Sequence, residues 1–600
     1  MVETISSLVA AHRLRTSAME ETIARSFARI RAYADPALFI ALRDEADVMA
    51  EARALPRTDR AEQPLFGIPV AIKDNIDFAG IETTAGCPDF AYVPARDATV
   101  VARLKRAGAI VIGKTNLDQF ATGLVGTRSP YGVPRNPFRR DLIPGGSSSG
   151  SAVAVAAGLV PLALGTDTAG SGRVPAGFNN IVGVKPSVGL VSNSGIVPAC
   201  RSLDCVSVFA LTTDDAFAAL RVIAGADPRD PYSRARPLGR IGALAPGTRI
   251  GVPRPGTRIF FGDHEAATAY AAALERCAKL GLAVTEIDIE PFYEAARLLY
   301  EGPWLAERYL TVRALIASAP QSLHPVTREI ILGGAKPSAA DAFAAFYQLE
   351  ELRRVAEHTF RQADVMMLPT TPTLYTVEQV RADPYQLNSR LGTYTNFVNL
   401  LDLCALAVPN AMRRDGAPSG VTLVAPAGCD ALLASLGRVF HADTGLPLGA
   451  TGMAQPPLAM IDAAARKDEI AVAVVGAHLS GMPLNSELRA LGARFLTKAA
   501  TAPDYRLFAL AATQPAKPGL LRADAGCGAS IEVEIWALSA EGFGRFVAAV
   551  PPPLSIGTVR LLAGGEVKGF LVEAAATAGA HDISGFGGWR RYVASLSVPA

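Results

Sequence analysis

The stretch PGGSSSGSAVAVAAGLVPLALGTDTAGSGRVPA, residues 144–176, contains two glycine-framed serines, Ser147 and Ser171, 24 positions apart. A serine hydroxyl is a weak nucleophile at neutral pH. It attacks a carbonyl only when a base takes its proton and preorganised N–H groups stabilise the oxyanion. Residues 168–172, TAGSG, have almost no side-chain bulk, so their N–H groups can point into one small cavity. The stretch therefore predicts a nucleophilic serine beside an oxyanion hole.

Lys73 is the candidate base for these serines. It follows the apolar run IPVAI in GIPVAIKDN. Burial disfavours the charged ammonium and lowers the pKa of a lysine, which leaves a neutral amine that can accept a proton. We therefore predict a relay that joins Lys73 to the two serines.

Several motifs resemble those of the amidase signature family. They are GGSSSGS, GTDTAGSGR, the KD pair at Lys73, GKTNLDQFA at 113–121, VGVKPSVGL at 182–190, DVMMLPTTP at 364–372 and PSGVTLV at 418–424. They occur in the family's order over about residues 20–445.

The resemblance implies a role for each residue of the serine-rich stretch. Lys73 would be the base and Ser171 the nucleophile, while Ser147 would bridge them after an unusual cis bond from Gly146. The implied oxyanion donors are the amides of Thr168, Ala169, Gly170 and Ser171.

Three other interpretations of these motifs conflict with the sequence around them. A serine- and glycine-rich linker would not continue into the apolar AVAVAAGLV. GSSSG at 146–150 matches a nucleophile elbow, but the preceding RRDLIPG is a poor strand. GAIVIGKT at 108–115 matches a phosphate-loop spacing, yet AIVI is strand-like where that loop must be flexible. We therefore predict neither an α/β-hydrolase nor a nucleotide site.

Composition limits the classes of partner. The chain has 600 residues, 50% of them hydrophobic, which is enough for more than one buried core. The formal net charge is +2 with well-mixed signs, so we predict neither a nucleic acid nor a membrane as partner. No histidines or cysteines have metal-ligand spacing, and we predict no metal and no cofactor.

Cysteine usage and the N-terminus indicate the compartment. Seven cysteines, an odd number in so long a chain, favour reduced thiols over a disulfide framework. The N-terminal MVETISSLVAAHRLRT has no sustained apolar core, and we expect it to be neither a secretory signal nor an anchor. We expect a cytoplasmic protein.

Hydrophobic periodicity predicts an α/β fold. The first 60 residues are helical in pattern, and after them strands such as IPVAI, AIVIG and VPLAL alternate with helices such as ATVVARLKRAG and SAVAVAAGL. This alternation is typical of a sheet with helices on both faces, and the family resemblance implies that the sheet is central and mixed.

A Pro/Gly-rich segment divides the chain. We predict an amidase domain at 1–445, a linker at 446–460 and a smaller α+β domain at 461–600. In the last domain EIAVAVVGAHL, DYRLFAL, SIEVEIWAL and KGFLVEA are strand-like, and AEGFGRFVAAV is helical in pattern.

The segment LLYEGPWLAERYL, residues 298–310, is the candidate substrate wall. If Pro303 occupies the first turn of a helix, Trp304 and Arg308 share one face, with Tyr300 just before it. An aromatic wall with a guanidinium suits a small planar anion, because arginine binds a carboxylate through two parallel hydrogen bonds. The alternative is that Tyr300 and Trp304 lie in the core and Arg308 on the surface.

Within the amidase signature family, the chain most resembles the allophanate hydrolases. The resemblance rests on LYEGPWLAERY, GTDTAGSGRVPA, LGTYTNFVNLLDLCALAVP at 391–409, VVGAHLSGMPLN at 474–485 and SGFGGWRRYV at 584–593. It implies that Tyr300, Arg308 and Gly123 bind the substrate, and that allophanate is hydrolysed to ammonia and N-carboxycarbamate.

The same resemblance implies a role for the last domain. That domain would be similar to γ-glutamyl cyclotransferase-like folds and would speed decarboxylation of N-carboxycarbamate. His478 follows the strand VAVVGA in a glycine-containing loop, where it could transfer a proton. The alternative is a hydrogen-bonded structural histidine. The resemblance further implies a homodimer that associates functionally with a urea carboxylase.

Two other functions stay open at this point. One is a broad amidase, or the catalytic subunit of a tRNA-dependent amidotransferase, which would need partner subunits. In the other, the last domain is an interaction module that docks the amidase onto an upstream enzyme.

Overall fold

The computed structural model describes residues 3–56, 62–510, 513–524 and 526–596. The chain forms two compact units. The first comprises Met1–Arg236, Ile250–Leu280 and Val284–Leu458, and the second comprises Pro237–Arg249, Gly281–Ala283 and Ala459–Ala600.

A mixed sheet organises the first unit. Its strands are β1 (Phe39–Leu42), β2 (Pro69–Lys73), β3 (Ile110–Thr115), β4 (Leu162–Asp167), β5 (Val182–Lys185), β6 (Cys205–Ala210), β7 (Arg249–Pro253), β8 (Ala283–Ile287), β9 (Val365–Pro369), β10 (Leu403–Met412) and β11 (Pro418–Pro426). Among the described residues their order is β1-β3-β2-β4-β6-β5-β10-β11-β9-β7-β8. Parallel pairs (β3 with β2, β2 with β4, β7 with β9) occur beside antiparallel ones, which confirms the predicted mixed sheet.

Helices flank this sheet. They are α1 (Ile5–Leu14), α2 (Met19–Tyr33), α3 (Glu45–Ala54), α4 (Thr99–Arg106), α5 (Ser149–Ala156), α6 (Val174–Phe178), α7 (Thr213–Ile223), α8 (His264–Lys279), α9 (Glu290–Glu301), α10 (Leu305–Ser318), α11 (Pro325–Leu332), α12 (Ala339–Gln362), α13 (Val377–Ala382), α14 (Gln386–Leu391), α15 (Phe397–Leu400) and α16 (Asp430–Asp443). No helix among the described residues is both long enough and apolar enough to cross a bilayer.

The pairing of β2 with β4 positions the serine-rich stretch. Both strands are buried along their whole length, and they run parallel with Val70 opposite Leu162 and Ile72 opposite Leu164. The carboxyl ends of neighbouring parallel strands lie at the same edge of a sheet, where α/β proteins bind their ligands. Lys73 and the loop after Asp167 therefore meet at that edge.

The N-terminal region differs in one element from the predicted run of helices. Phe39–Leu42, expected to be helical, forms β1 and pairs antiparallel with β3. The physical reason is that β3 would otherwise present an unpaired edge, and a short apolar segment satisfies its backbone groups. Residues 1–2 and 57–60 of the predicted helical region lie outside the described residues.

The second unit has a five-stranded and a three-stranded sheet among its described residues. Its elements are β12 (Glu469–Val474), α17 (Asn485–Ala490), β13 (Arg494–Ala500), β14 (Tyr505–Ala509), β15 (Pro518–Arg522), β16 (Glu532–Ser539), α18 (Ala540–Ala548), β17 (Leu554–Arg560), β18 (Glu566–Val572), β19 (His581–Asp582) and α19 (Trp589–Leu596). The strand orders are β13-β16-β12-β18-β17 and β15-β14-β19. The predicted strands and helix are present, and β13, β15, β17 and β19 are additional.

Candidate active site

Lys73 is buried at the carboxyl end of β2. Its Nζ lies 2.8 Å from Ser147 Oγ and 2.8 Å from Thr166 Oγ1. Burial lowers its pKa to about 7, although the nearby carboxylates of Asp118, Asp204 and Asp167 act in the opposite direction. Near neutral pH the amine is therefore available in its neutral form, as a base requires.

Ser147 stands in a loop that is held from two sides. Its carbonyl accepts a hydrogen bond from the amide of Asp118 at 3.1 Å, and the Gly146–Ser147 peptide bond is cis. A Cβ at Gly146 would lie 2.2 Å from Asp118 Oδ2 and 2.5 Å from the amide nitrogen of Gly126, so only glycine fits there. The loop continues directly into α5, which begins at Ser149.

Asp167 and Arg173 shape the loop that carries Ser171. Both side chains are fully buried, and Arg173 donates from Nε and Nη2 to the two oxygens of Asp167, each at 2.9 Å. Burial alone would raise the pKa of Asp167, but the Arg173 guanidinium holds it below its usual value. The same carboxylate accepts the amides of Gly170 at 3.0 Å and Gly172 at 2.9 Å. A single ion pair thus fixes both ends of the turn around Ser171.

The oxyanion candidates have different hydrogen-bond environments. The Gly170 amide is engaged by Asp167. Within the described ranges the amides of Ala169 and Ser171 make no hydrogen bond. The Thr168 hydroxyl donates to the buried Asp204, whose pKa burial raises to about 6. The amide of Thr168 likewise makes no hydrogen bond with the described residues, so the geometry leaves the amides of Thr168, Ala169 and Ser171 as available donors.

The structure joins two members of the expected relay and leaves the third unconnected. Lys73 contacts Ser147 directly, whereas Ser171 Oγ makes no hydrogen bond with any residue that the structure describes. Ser171 is 2% exposed and lies on the loop after β4, at the sheet edge that Lys73 also occupies. Catalytic hydrogen bonds often tighten only when the substrate binds.

Arg308 is a buried cation with unused donors. It is 2% exposed, and its Nη1 donates to the Ala121 carbonyl at 3.2 Å and to Thr122 Oγ1 at 3.1 Å. Its Nε and Nη2 are buried without a hydrogen-bond partner among the described residues. The Tyr300 ring lies 5.5 Å from the guanidinium carbon. The expected alternative of a surface arginine is therefore wrong.

The predicted helix begins later than expected. Tyr300 lies in the last turn of α9, which ends at Glu301 with Gly302 as its C-cap. α10 begins at Leu305, after Pro303. Trp304 is 3% exposed and packs edge-on against Phe346, so it belongs to the core and does not form the wall beside Arg308. Tyr300 and Arg308 meet through the junction of two helices.

Gly123 lies next to the residues that Arg308 contacts. Its φ is +158°, and a Cβ there would lie 2.6 Å from Asp118 Oδ2. Asp118 accepts the amides of Gly126 at 2.9 Å and Arg128 at 2.9 Å. One carboxylate thus organises the loop after Thr122 and also faces the Gly146 loop.

His478 lies in the second unit, in the loop after β12. Its Nε2 lies 2.9 Å from Glu487 Oε2, its ring stacks on Phe570 at 5.1 Å, and Phe546 packs edge-on at the same distance. Burial lowers the pKa of His478, and the Glu487 carboxylate acts in the opposite direction. Nδ1 makes no hydrogen bond with the described residues, so it is available to a ligand.

Sequence reasoning missed several polar residues that build these sites. Thr166 bonds Lys73, Asp118 and Asp167 organise the two loops, and Asp204 holds Thr168. Asp118 and Asp167 fall inside the motifs GKTNLDQFA and GTDTAGSGR, so the motifs themselves were the available signal.

Comparisons with known proteins identify the family of each part of the chain. Residues 21–434 match the family described as amidase, and residues 470–594 match the allophanate hydrolase C-terminal domain. Urea amidolyases of Lachancea kluyveri and Saccharomyces cerevisiae are 44% and 43% identical over 93% and 90% of the chain. The chain spans only 31% and 30% of the length of these two relatives.

A solved structure extends the match to nearly the whole chain. Kluyveromyces lactis allophanate hydrolase is 40% identical, with a TM-score of 0.77 and coverage of 99% of both chains. The family match covers more than half of the chain and includes every motif of the Lys73–Ser147–Ser171 site. The chain therefore belongs to the amidase family, as a hydrolase of amide C–N bonds with an allophanate hydrolase C-terminal domain.

Proposed function

We propose that the chain hydrolyses allophanate, the carboxylated form of urea, through an acyl-enzyme on Ser171. The observation that carries this proposal is Arg308, a buried guanidinium whose Nε and Nη2 have no partner in the described structure. A buried cation with unsatisfied donors is costly, and a substrate carboxylate would satisfy both. The likeness to an allophanate hydrolase supports the same substrate.

Acylation begins with the relay. Neutral Lys73 accepts a proton from Ser147, which accepts the proton of Ser171 as Ser171 Oγ attacks the terminal amide carbon. The amides of Thr168, Ala169 and Ser171 stabilise the oxyanion, while the Gly170 amide, also expected as a donor, is engaged by Asp167. Collapse of the tetrahedral intermediate breaks the C–N bond, and the relay returns the proton to the leaving ammonia.

Deacylation repeats the steps with water. The acyl group on Ser171 is the carbonyl carbon still bonded to NH–CO₂⁻. Lys73 and Ser147 take a proton from water, the hydroxide attacks that carbon, and Ser171 leaves with the proton. The carboxylic acid formed on that carbon then loses its proton to solvent. The product is N-carboxycarbamate, a small dianion.

Three residues orient the substrate in this proposal. Arg308 binds the carboxylate, Tyr300 covers the guanidinium, and Gly123 gives the loop beside them its tight conformation. The terminal amide is thereby directed toward Ser171.

We further propose that the second unit promotes decarboxylation of the dianion, with His478 as the proton donor. Its contact with Glu487, which orients the ring, and its available Nδ1 support this role. Functional association with a urea carboxylase would supply the substrate. The likeness of the chain to urea amidolyases supports this association.

Biuret tests the substrate assignment, because it carries an uncharged carboxamide where allophanate has its carboxylate. We expect kcat/KM for ammonia release to favour allophanate by at least roughly 30-fold, or about 2 kcal/mol. Arg308→Lys should lose most of this preference, since an ammonium cannot form the bidentate contact. Equal use of both compounds by the wild-type chain would instead support a broad amidase.

A further inference from the structure

The second unit contains a cavity of about 250 Å³ beside His478. Its walls are mostly apolar and include Leu484, Phe546, Leu554 and Phe570. The titratable residues among those that line it are His478, Glu487 and Lys517. The cavity is large enough for a ligand of a few non-hydrogen atoms.

Lys517 differs from the other two titratable residues in the contacts of its side chain. It is half-buried, and its ammonium has neither an ion pair nor a hydrogen bond with any residue that the structure describes. Among the described residues that line the cavity, the one carboxylate is that of Glu487, and it contacts His478 at 2.9 Å. A cation beside aromatic walls, with no carboxylate of its own, is the complement that a small anion requires.

We propose that Lys517 is the anion-binding residue of this cavity and holds one carboxylate of a small dicarboxylate-like ligand against His478. The inference rests on the proposed function of the second unit, in which that ligand is N-carboxycarbamate. It adds the residue that selects the charge of the ligand.

The arrangement also assigns each end of the ligand a role. One carboxylate stays on Lys517, while the other leaves as carbon dioxide when its C–N bond breaks. The bonding electron pair goes to nitrogen, which takes a proton from His478. Burial lowers the pKa of His478, so its protonated form depends on the Glu487 carboxylate and on the bound dianion, both of which favour the positive charge. The product carbamate is a monoanion, and its remaining carboxylate stays on Lys517. Solvent then reprotonates His478.

Malonate is the probe, because it keeps both carboxylates and replaces the NH with a CH₂ group. Titration calorimetry of the full chain should show two malonate sites, one at Arg308 and one at Lys517. Lys517→Met should remove one site, Arg308→Met should remove the other, and Lys498→Met, an exposed lysine on β13, should retain both. Lys517→Arg should keep the second site, which controls for misfolding.

A kinetic measurement then separates the two proposals. Lys517→Met should slow carbon dioxide release relative to ammonia release by at least tenfold when allophanate is the substrate. If Lys517→Met leaves the malonate stoichiometry at two, the inference about Lys517 is wrong. If the site is lost but the ratio of the two rates is unchanged, Lys517 binds anions as inferred and the proposed decarboxylation is wrong.

Discussion

Lys73 acquires its chemistry from its position at the end of a wholly buried strand. The side chain is fully buried, and burial brings its pKa to about 7. Its contacts are two neutral hydroxyls, Ser147 and Thr166, and neither holds the amine in its charged form as a direct carboxylate partner would. The lysine is thus poised to accept a proton near neutral pH.

The pH dependence of ammonia release tests this placement. Only neutral Lys73 is a base, so kcat/KM should rise as the pH increases through about 7 and level off above it. The measurement is the rate of ammonia release at low substrate concentration from pH 6 to pH 9. A profile that is flat over this range would exclude Lys73 as the base.

Single residues also mark what the sequence could predict. The stretch around Ser147 and Ser171 predicted the relay, and the contact of Lys73 with Ser147 fits it. Asp204 could not be assigned in advance, because its contact with Thr168 depends on tertiary folding across 36 positions. The predicted position of Trp304 beside Arg308 is wrong, because helical spacing does not reveal that α10 begins only after Trp304.

At the scale of elements, the loop between β3 and α5 has little freedom at Gly123. Its φ of +158° and the 2.6 Å approach to Asp118 Oδ2 leave no room for a side chain. The loop beside Gly123 contacts Arg308 through Ala121 and Thr122. A distortion here should therefore reach Arg308, the arginine that we propose binds the substrate.

Gly123→Ala should destabilise the chain by about 1–3 kcal/mol, through backbone strain and overpacking, and should lower kcat/KM for allophanate. Gly256→Ala is the matched control, since nothing lies within 4 Å of a Cβ at that position. Denaturant unfolding and ammonia release measure the two effects. Equal stability and activity in both variants would contradict the account of this loop.

Strand prediction succeeded where the strands are buried on both faces. β2, β3 and β4 are continuous buried runs, and the sequence reveals them directly. β17 in the second unit, LSIGTVR, has a single buried residue among half-exposed and exposed ones, and it shows no such run. The sequence pattern predicts a helix where β1 lies, because the four residues of β1 are too few to establish a period of two.

At the scale of the whole molecule, the residues that we propose act on the substrate and on its product are divided between the two units. The first has Lys73, Ser147, Ser171 and Arg308, and the second has His478. Because Pro237–Arg249 belongs to the second unit, cutting the chain near residue 460 would leave a fragment of that unit behind. Single substitutions in the full chain therefore test the separate roles of the two units, ammonia release and decarboxylation, more cleanly than truncation.

His478→Ala should slow carbon dioxide release from allophanate relative to ammonia release, because the proton donor for nitrogen is lost. His264→Ala, an exposed histidine at the start of α8, is the control and should behave as the wild type. The ratio of carbon dioxide release to ammonia release is obtained by measuring both products in the same reaction. An unchanged ratio in His478→Ala would make the second unit a structural or interaction module.

The nucleophile provides the most direct test of the central claim. The measurement is ammonia release from allophanate by purified full-length Ser171→Ala, with circular dichroism and the Tm as checks on folding. The account predicts no ammonia above background, because no other group forms the acyl-enzyme, and a Tm close to that of the wild type, because only a hydroxyl without a hydrogen bond in the described structure is removed. Turnover at the wild-type rate by the folded variant would contradict the account.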